Sequence, residues 1–212
     1  MSSPSRFFCL EGIDGSGKTT QLGMLQEELS RRGFQAVRVR EPGGTEISEK
    51  IRNILLSAAH KDKMGYMTEL LLYNAARAQV IEEIIKPAVT NGRVVLADRF
   101  AWSTWAYQGF GRGLDTRLIE SLLNITCGDY WPRHTFILDL PVPASRERQE
   151  KDERELDRLE QEANEFFERV REGYRSLAIK YPERCTLIDA TRTPIAIHQD
   201  ILRKVLELIK EA

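Results

Sequence analysis

Hydrophobic positions in this chain fall into two spacings. Short apolar runs rich in β-branched and aromatic residues occur at 7–10, 36–39, 93–97, 135–140 and 185–188. Runs of that length predict five strands. Between them, apolar residues recur at helical spacing. Leu22, Leu25 and Leu29 mark one face of a helix over 18–32, which has a basic last turn and Gly33 placed to end it. Helical patterns also fill 46–56, 68–88, 116–123, 157–178 and 194–211. Alternation of this kind predicts an α/β protein with a five-stranded, mostly parallel sheet covered by helices on both faces. Ligands of such sheets bind at the carboxyl ends of the strands. One segment departs from the pattern: "RERQEKDERELDR", 146–158, is almost wholly charged and has no apolar stripe before Leu156.

The loop after the first strand carries the first chemical signal. In "LEGIDGSGKTTQL", Gly12, Gly17, Lys18 and Thr19 have the P-loop spacing, between a strand and a helix as the motif requires. Glycines let backbone N–H groups turn inward around phosphate oxygens, and the helix N-terminus adds partial positive charge. Gly12, Ile13, Asp14, Gly15, Ser16, Gly17, Lys18, Thr19 and Thr20 are therefore the expected triphosphate-binding stretch. Lys18 would neutralise β- and γ-phosphate charge, and the Thr19 hydroxyl would ligate Mg²⁺. The plain alternative is a glycine-rich turn with an incidental lysine, against which the flanking strand and helix count. Asp98 ends the third strand at the same sheet edge and fits a carboxylate that holds Mg²⁺ or its water shell. A solvated strand-end aspartate is the alternative there. Arg99 beside it is placed to bind a second phosphate, and Arg40, Glu41 and Pro42 follow the second strand in the same way. Asp14 is an acid among phosphate donors, so it should point outward to an acceptor, or else cap the turn.

Composition narrows the classes. A chain of 212 residues, 42% hydrophobic, suits one core, so 1–212 is read as a single domain. Lys plus Arg total 31 against 32 Asp plus Glu, a balance that gives no support to a general nucleic-acid or membrane surface. Cys9, Cys127 and Cys185 lie far apart and read as buried thiols of a reducing compartment. No run approaches the ~20 apolar residues of a membrane span, and a cytoplasmic location is expected. His60, His134 and His198 lack ligand spacing and read as surface or loop residues, so no protein-only metal site is expected.

Together the motifs resemble one family. "EGIDGSGKTTQ", "REPGGTEISEKIR", "LLLYNAARAQ", "DRFAWSTWAYQGFGRG", "ELDRLEQE" and "IDATRTP" occur in the order and at roughly the spacing found in thymidylate kinases. The chain resembles a bacterial member over nearly its whole length. The resemblance implies transfer of the γ-phosphoryl of ATP to dTMP with Mg²⁺, giving dTDP and ADP. It implies the P-loop NTPase nucleoside monophosphate kinase fold with a mobile lid at about 144–160, usually as a homodimer. The implied substrates are small molecules, ATP and dTMP, with no nucleic acid and no membrane.

The resemblance also implies roles. An aromatic ring at Tyr73 stacks on thymine, where Phe is more usual, and Arg77 on the same helix face bonds the base. Core packing is the bland reading of Tyr73. Thr104 reads the pyrimidine edge, Tyr107 crowds the 2′ carbon and disfavours a ribose, and Gln108 lies in the same run. Taken alone, "WSTWAYQGFGRG" is an aromatic helix start followed by a glycine loop. Asp14 contacts the sugar 3′-OH and aligns the acceptor phosphate, which Arg40 and Arg99 hold beside Pro42. Asp14, Gly15 and Ser16 contain no arginine, so the charged segment would supply the catalytic cations from Arg146, Arg148, Lys151, Arg154 and Arg158. Arg148 and Arg154 are the candidates, although mixed charge by itself reads as a solvated helix face. Asp157 and Glu160 would touch the acceptor or orient the lid, and Arg192 would stack on adenine. Two rivals remain at this level. One is another P-loop nucleotide or deoxynucleoside kinase with a different acceptor. The other is an NTP-hydrolysing switch, against which the absence of an Asn-Lys-x-Asp or Leu-Ser-Gly-Gly-Gln motif counts.

Overall fold

The computed structural model describes residues 6–151 and 157–210. Strands β1 (Phe7–Glu11), β2 (Ala36–Arg40), β3 (Val94–Asp98), β4 (His134–Asp139) and β5 (Cys185–Asp189) form one sheet in the order β2-β3-β1-β4-β5. Every pairing is parallel. β1 is central and buried along its whole length, which is why "FFCLE" is a continuous apolar run up to its final acid and not an alternation. In register, Asp98 faces both Leu10 and Arg40, Ile137 faces Glu11, and Asp139 faces Asp189. Ionisable residues are thereby gathered along the carboxyl edge of an otherwise apolar sheet.

The helices are α1 (Lys18–Arg31), α2 (Glu46–Leu56), α3 (Tyr66–Val80), α4 (Lys86–Thr90), α5 (Ala101–Thr104), α6 (Thr116–Cys127), α7 (Val142–Glu150), α8 (Asn164–Lys180) and α9 (Pro194–Lys210). α1 packs on β1, β2, β3 and α9, while α8 packs on β4 and β5. Gly33 ends α1 as expected. Its positive φ of 84° allows Gly33 N–H to bond Ser30 O and Phe34 N–H to bond Leu29 O, the paired closure of a Schellman turn. Thr45 caps α2 by accepting from Ser48 N–H at 3.2 Å.

Several segments differ from the sequence reading. The helix expected over 68–88 starts at Tyr66 and continues into α4 through a π-helical stretch, Ile81–Ile85, just ahead of Pro87, whose missing N–H would interrupt regular helix bonding. The expected glycine loop is helical: α5 runs on through a π-helical Trp105–Gly111. Its glycines serve close approach, since a Cβ on Gly111 would lie 2.6 Å from Phe166 Cε2 on α8. The helix expected from Asp157 begins only at Asn164. Asp157 Oδ1 instead accepts from Leu159 N–H and Glu160 N–H at 2.8 and 2.9 Å, a local turn that competes with helix. Part of the charged segment is helix α7, which turns Val142, Ser145 and Gln149 inward. His134 is not a surface residue but is buried in β4, with Nε2 2.8 Å from Thr186 Oγ1. His198 is half-buried on α9.

Cys9, Cys127 and Cys185 are buried and free. Among the described residues, no helix is long and apolar enough to cross a membrane. Gly111→Ala tests the contact between α8 and the 101–111 helix. Overpacking should lower stability by about 1–3 kcal/mol. A denaturation midpoint equal to that of the unmodified chain would contradict it.

Candidate active site

The P-loop closes at the carboxyl end of β1. Gly12 has φ +138°, and a Cβ there would stand 2.5 Å from Leu138 O, so only glycine fits between β1 and β4. Lys18 Nζ donates to Gly12 O and Ile13 O, each at 3.0 Å, which holds the ammonium across the loop. Burial pulls its pKa down to about 8, with Arg99 acting in the same sense. Thr19 Oγ1 donates to Asp98 Oδ2 at 2.8 Å, so the two expected Mg²⁺ ligands are adjacent although 79 residues apart. Hydroxyl and carboxylate oxygens are hard donors that suit Mg²⁺. Among the described residues, no group of three or more His, Cys, Asp or Glu could hold a metal by itself.

Two clefts meet here. Gly15, Gly17, Lys18, Thr19, Thr20, Arg40, Asp98 and Arg148 line the one over the P-loop. Pro42, Tyr73, Arg77, Thr104, Tyr107, Gln108, Asp157 and Glu160 line the other. Asp14, Glu41, Arg52 and Arg99 border both. Every sequence-predicted acceptor residue except Arg40 thus lies at one cleft, and Arg40 lies at its neighbour, paired with Glu49 at 2.9 Å.

At the junction, Arg99 Nη2 donates to Asp14 Oδ1 at 2.7 Å and Arg99 Nη1 to Gly12 O at 2.8 Å. Tyr107 OH lies 3.4 Å from Asp14 Oδ2, and its ring lies under the Arg99 guanidinium at 5.2 Å. At the far end, Arg77 is buried. Its Nε donates to Glu41 Oε2 at 2.9 Å, and its Nη2 to Thr104 Oγ1 and Phe100 O, both at 3.1 Å. Thr104 accepts in that bond, which leaves its hydroxyl proton for a ligand acceptor. Burial pushes the Glu41 carboxyl up to about 7 against the pull of Arg77, and Oε1 has no hydrogen-bond partner among the described residues. Burial likewise raises the Tyr73 phenol, which stays neutral. Gln108 Nε2 donates to Glu69 Oε1 at 2.8 Å behind the cleft.

The charged segment divides. Arg148 reaches the P-loop, donating to Gly15 O at 2.8 Å and Ala190 O at 3.2 Å. Arg158 is not a lid cation: it is buried, bonding Leu55 O at 2.7 Å and Glu69 Oε2 at 2.6 Å. Arg146 lies 4.5 Å over the Phe167 ring and donates to Glu160 O at 2.8 Å. Lys151 pairs with Glu147 at 3.0 Å, and Arg154 lies outside the described residues. Arg192 is exposed and pairs with Asp200 at 2.8 Å.

Two residues at or behind these clefts, Arg52 and Glu11, escaped the sequence reading. Arg52 of α2 donates to Pro42 O at 2.9 Å between Arg40 and the acceptor cleft, but an arginine on an amphipathic helix looks like surface. Glu11 did carry a signal, since it is an acid at the end of strand β1.

A P-loop whose donor cleft shares Asp14 and Arg99 with a second, arginine-rich cleft defines a P-loop phosphotransferase of the nucleoside monophosphate kinase type. The thymidylate kinase family model matches residues 10–201. The chain is 43% identical to the thymidylate kinase of Pelotomaculum thermopropionicum over 96% of its length and 94% of the relative's. It is 45% identical to that of Prosthecochloris aestuarii, over 94% and 92%. The crystal structure of thymidylate kinase from Ehrlichia chaffeensis superposes with a TM-score of 0.75 at 35% identity, over 97% of this chain and 99% of that one. The chain belongs to the thymidylate kinase family, the ATP:dTMP phosphotransferases.

The depressed Lys18 pKa sets a pH dependence. The amine carries its charge below about pH 8 and loses it above, so kcat/KM for ATP should fall on the alkaline side with a midpoint near 8. Bound phosphate favours the protonated amine, so kcat should hold to higher pH. A kcat/KM profile flat through pH 9 would contradict this.

Proposed function

We propose that the chain moves the γ-phosphoryl group of ATP onto dTMP by in-line attack, with ATP in the P-loop cleft and dTMP in the cleft beside it. The shared wall of Asp14 and Arg99 carries this reading, because phosphates bound in the two clefts would meet at one cation. The acceptor phosphate is already an anion near neutral pH, so no strong general base is needed, and positioning supplies most of the rate. Arg99 and Arg40 hold the acceptor phosphate, with Arg52 beside them. Lys18 and Arg148 hold the donor, joined by Arg154 from the segment at about 144–160, which acts as a lid of the single domain 1–212. Mg²⁺, held through Thr19 and Asp98, would supply charge neutralisation at the β- and γ-oxygens.

Tyr73 stacks on the base, Arg77 and Thr104 bond its edge with Gln108 behind them, and Pro42 bounds the cleft. Asp14 and Tyr107 meet the sugar, and the Tyr107 ring disfavours a 2′-hydroxyl. Asp157 and Glu160 close the acceptor side, and Arg192 lies beside the adenine. Exposed Ile47 and Ile54 on α2, with Met67 and Leu71 on neighbouring α3, support a homodimer through that surface. Buried free thiols support a cytoplasmic setting.

ADP release from ATP and Mg²⁺ with dTMP, dUMP, UMP, dCMP, dGMP, thymidine or no acceptor tests the reading. Turnover should be fastest with dTMP, weaker with dUMP and poor with UMP. Preference for another acceptor would overturn the base-reading roles, and equal turnover without acceptor would indicate hydrolysis. Lys18→Ala should lower kcat by at least about 100-fold while the chain stays folded. Unchanged turnover would remove Lys18 from the mechanism.

A further inference from the structure

Glu11 is a fully buried carboxylate at the end of β1 with no part in the transfer as described. Both its oxygens are occupied. Oε1 accepts from Phe100 N–H at 2.8 Å and Ser103 N–H at 3.0 Å, and Oε2 from Ser103 Oγ at 2.6 Å and Tyr174 OH at 2.9 Å. Burial raises its pKa, opposed by Arg99 and these hydrogen bonds. All but one of these donors sit on the turn that follows Arg99. The exception, Tyr174, comes from α8.

Arg99 is the one non-glycine among the described residues at positive φ, 66°. Such a conformation persists only where the surroundings over-determine it. Here the backbone is held on both sides: Arg99 N–H bonds Leu10 O at 3.0 Å, and the next N–H bonds Glu11. The guanidinium is held as well. Besides Gly12 O and Asp14, Arg99 Nη1 donates to Tyr174 OH at 3.1 Å. The phenol therefore accepts from the cation and donates its own O–H to Glu11 Oε2 or to Ser103 Oγ 2.9 Å away.

We infer that Glu11 and Tyr174 are positioning residues that hold Arg99 toward the acceptor phosphate through a hydroxyl relay, without touching substrate themselves. A direct Glu11–Arg99 ion pair would hold the guanidinium equally well but would cancel much of the charge that a phosphate needs. Asp14 already pairs with Arg99 at 2.7 Å, so a neutral hydroxyl in between orients the cation without setting a second carboxylate against it. The inference rests on the reading that Arg99 binds the acceptor phosphate.

The test compares dTMP with thymidine, which shares the base and sugar but lacks the phosphate. Tyr174→Phe removes only the relay oxygen. It should raise KM for dTMP about tenfold, the usual scale for a hydrogen bond to a charged group, and lower kcat. The inhibition constant of thymidine and KM for ATP should stay within about twofold. Equal weakening of dTMP and thymidine would mark Tyr174 as merely structural, and no change in either would show that the relay does nothing; both outcomes overturn the inference. If Tyr174→Phe does not fold, Ser103→Ala withdraws another donor from the same Glu11 oxygen and should shift dTMP against thymidine in the same direction; no such shift overturns the inference. Arg99→Lys separates the premises. If it leaves the preference for dTMP over thymidine intact, the phosphate role of Arg99 fails. If it abolishes the preference while Tyr174→Phe does not, only the relay fails.

Discussion

A phosphoryl-transfer site must bury cations without cancelling them, and the architecture of this chain depends on how that is done. Two of the cations at the P-loop cleft are satisfied by backbone carbonyls, Lys18 by Gly12 O and Ile13 O and Arg148 by Gly15 O and Ala190 O, whereas Arg99 divides its donors among Gly12 O, Tyr174 OH and the Asp14 carboxylate. A carbonyl satisfies an N–H at the cost of a dipole and not of a full charge, so the site keeps its positive potential. Farther away the rule changes. Arg77 pairs with Glu41 and Arg158 with Glu69, both fully buried. There a paired guanidinium shapes the far end of the second cleft, and truncating either partner would leave a buried charge uncompensated.

The sheet makes this possible. Parallel strands bring their carboxyl ends to one edge, and α1 packs against β3 there, so that Thr19 and Asp98 come within 2.8 Å. The 101–111 helix and α8 extend the arrangement sideways. Gly111 and Gly173 let the two approach closely, and that approach carries Tyr174 to Arg99 and Tyr107 to Asp14. A helix contact that looks like plain core packing thus sets the geometry of the acceptor cleft.

The departures from the sequence reading have local causes. Glycines at 109 and 111 look like loop residues because propensity counts only the backbone, yet at Gly111 the Phe166 ring, and at Gly109 the Ile119 side chain, lie against the space where a side chain would be. Asp157 sits at a plausible helix start, but its carboxylate bonds the next N–H groups and delays the helix to Asn164. Arg158 stands in a charged run that periodicity assigns to solvent, and its partner Glu69 is far away in sequence. His134 has no local signal because its burial comes from strands on either side.

What the sequence alone determined was the five strands with most of their connecting helices, the P-loop and, through the resemblance, residues that gather at the second cleft. Each of these rests on local spacing: a strand run, four residues between glycines, or an i to i+4 pair on one helix. Tertiary structure alone decided which charges face the site and which are locked away. Arg148 and Arg158 stand ten positions apart in the same charged segment, one at the P-loop and the other buried under the acceptor cleft. The difference lies in partners supplied by distant strands and helices, and no short-range pattern encodes them.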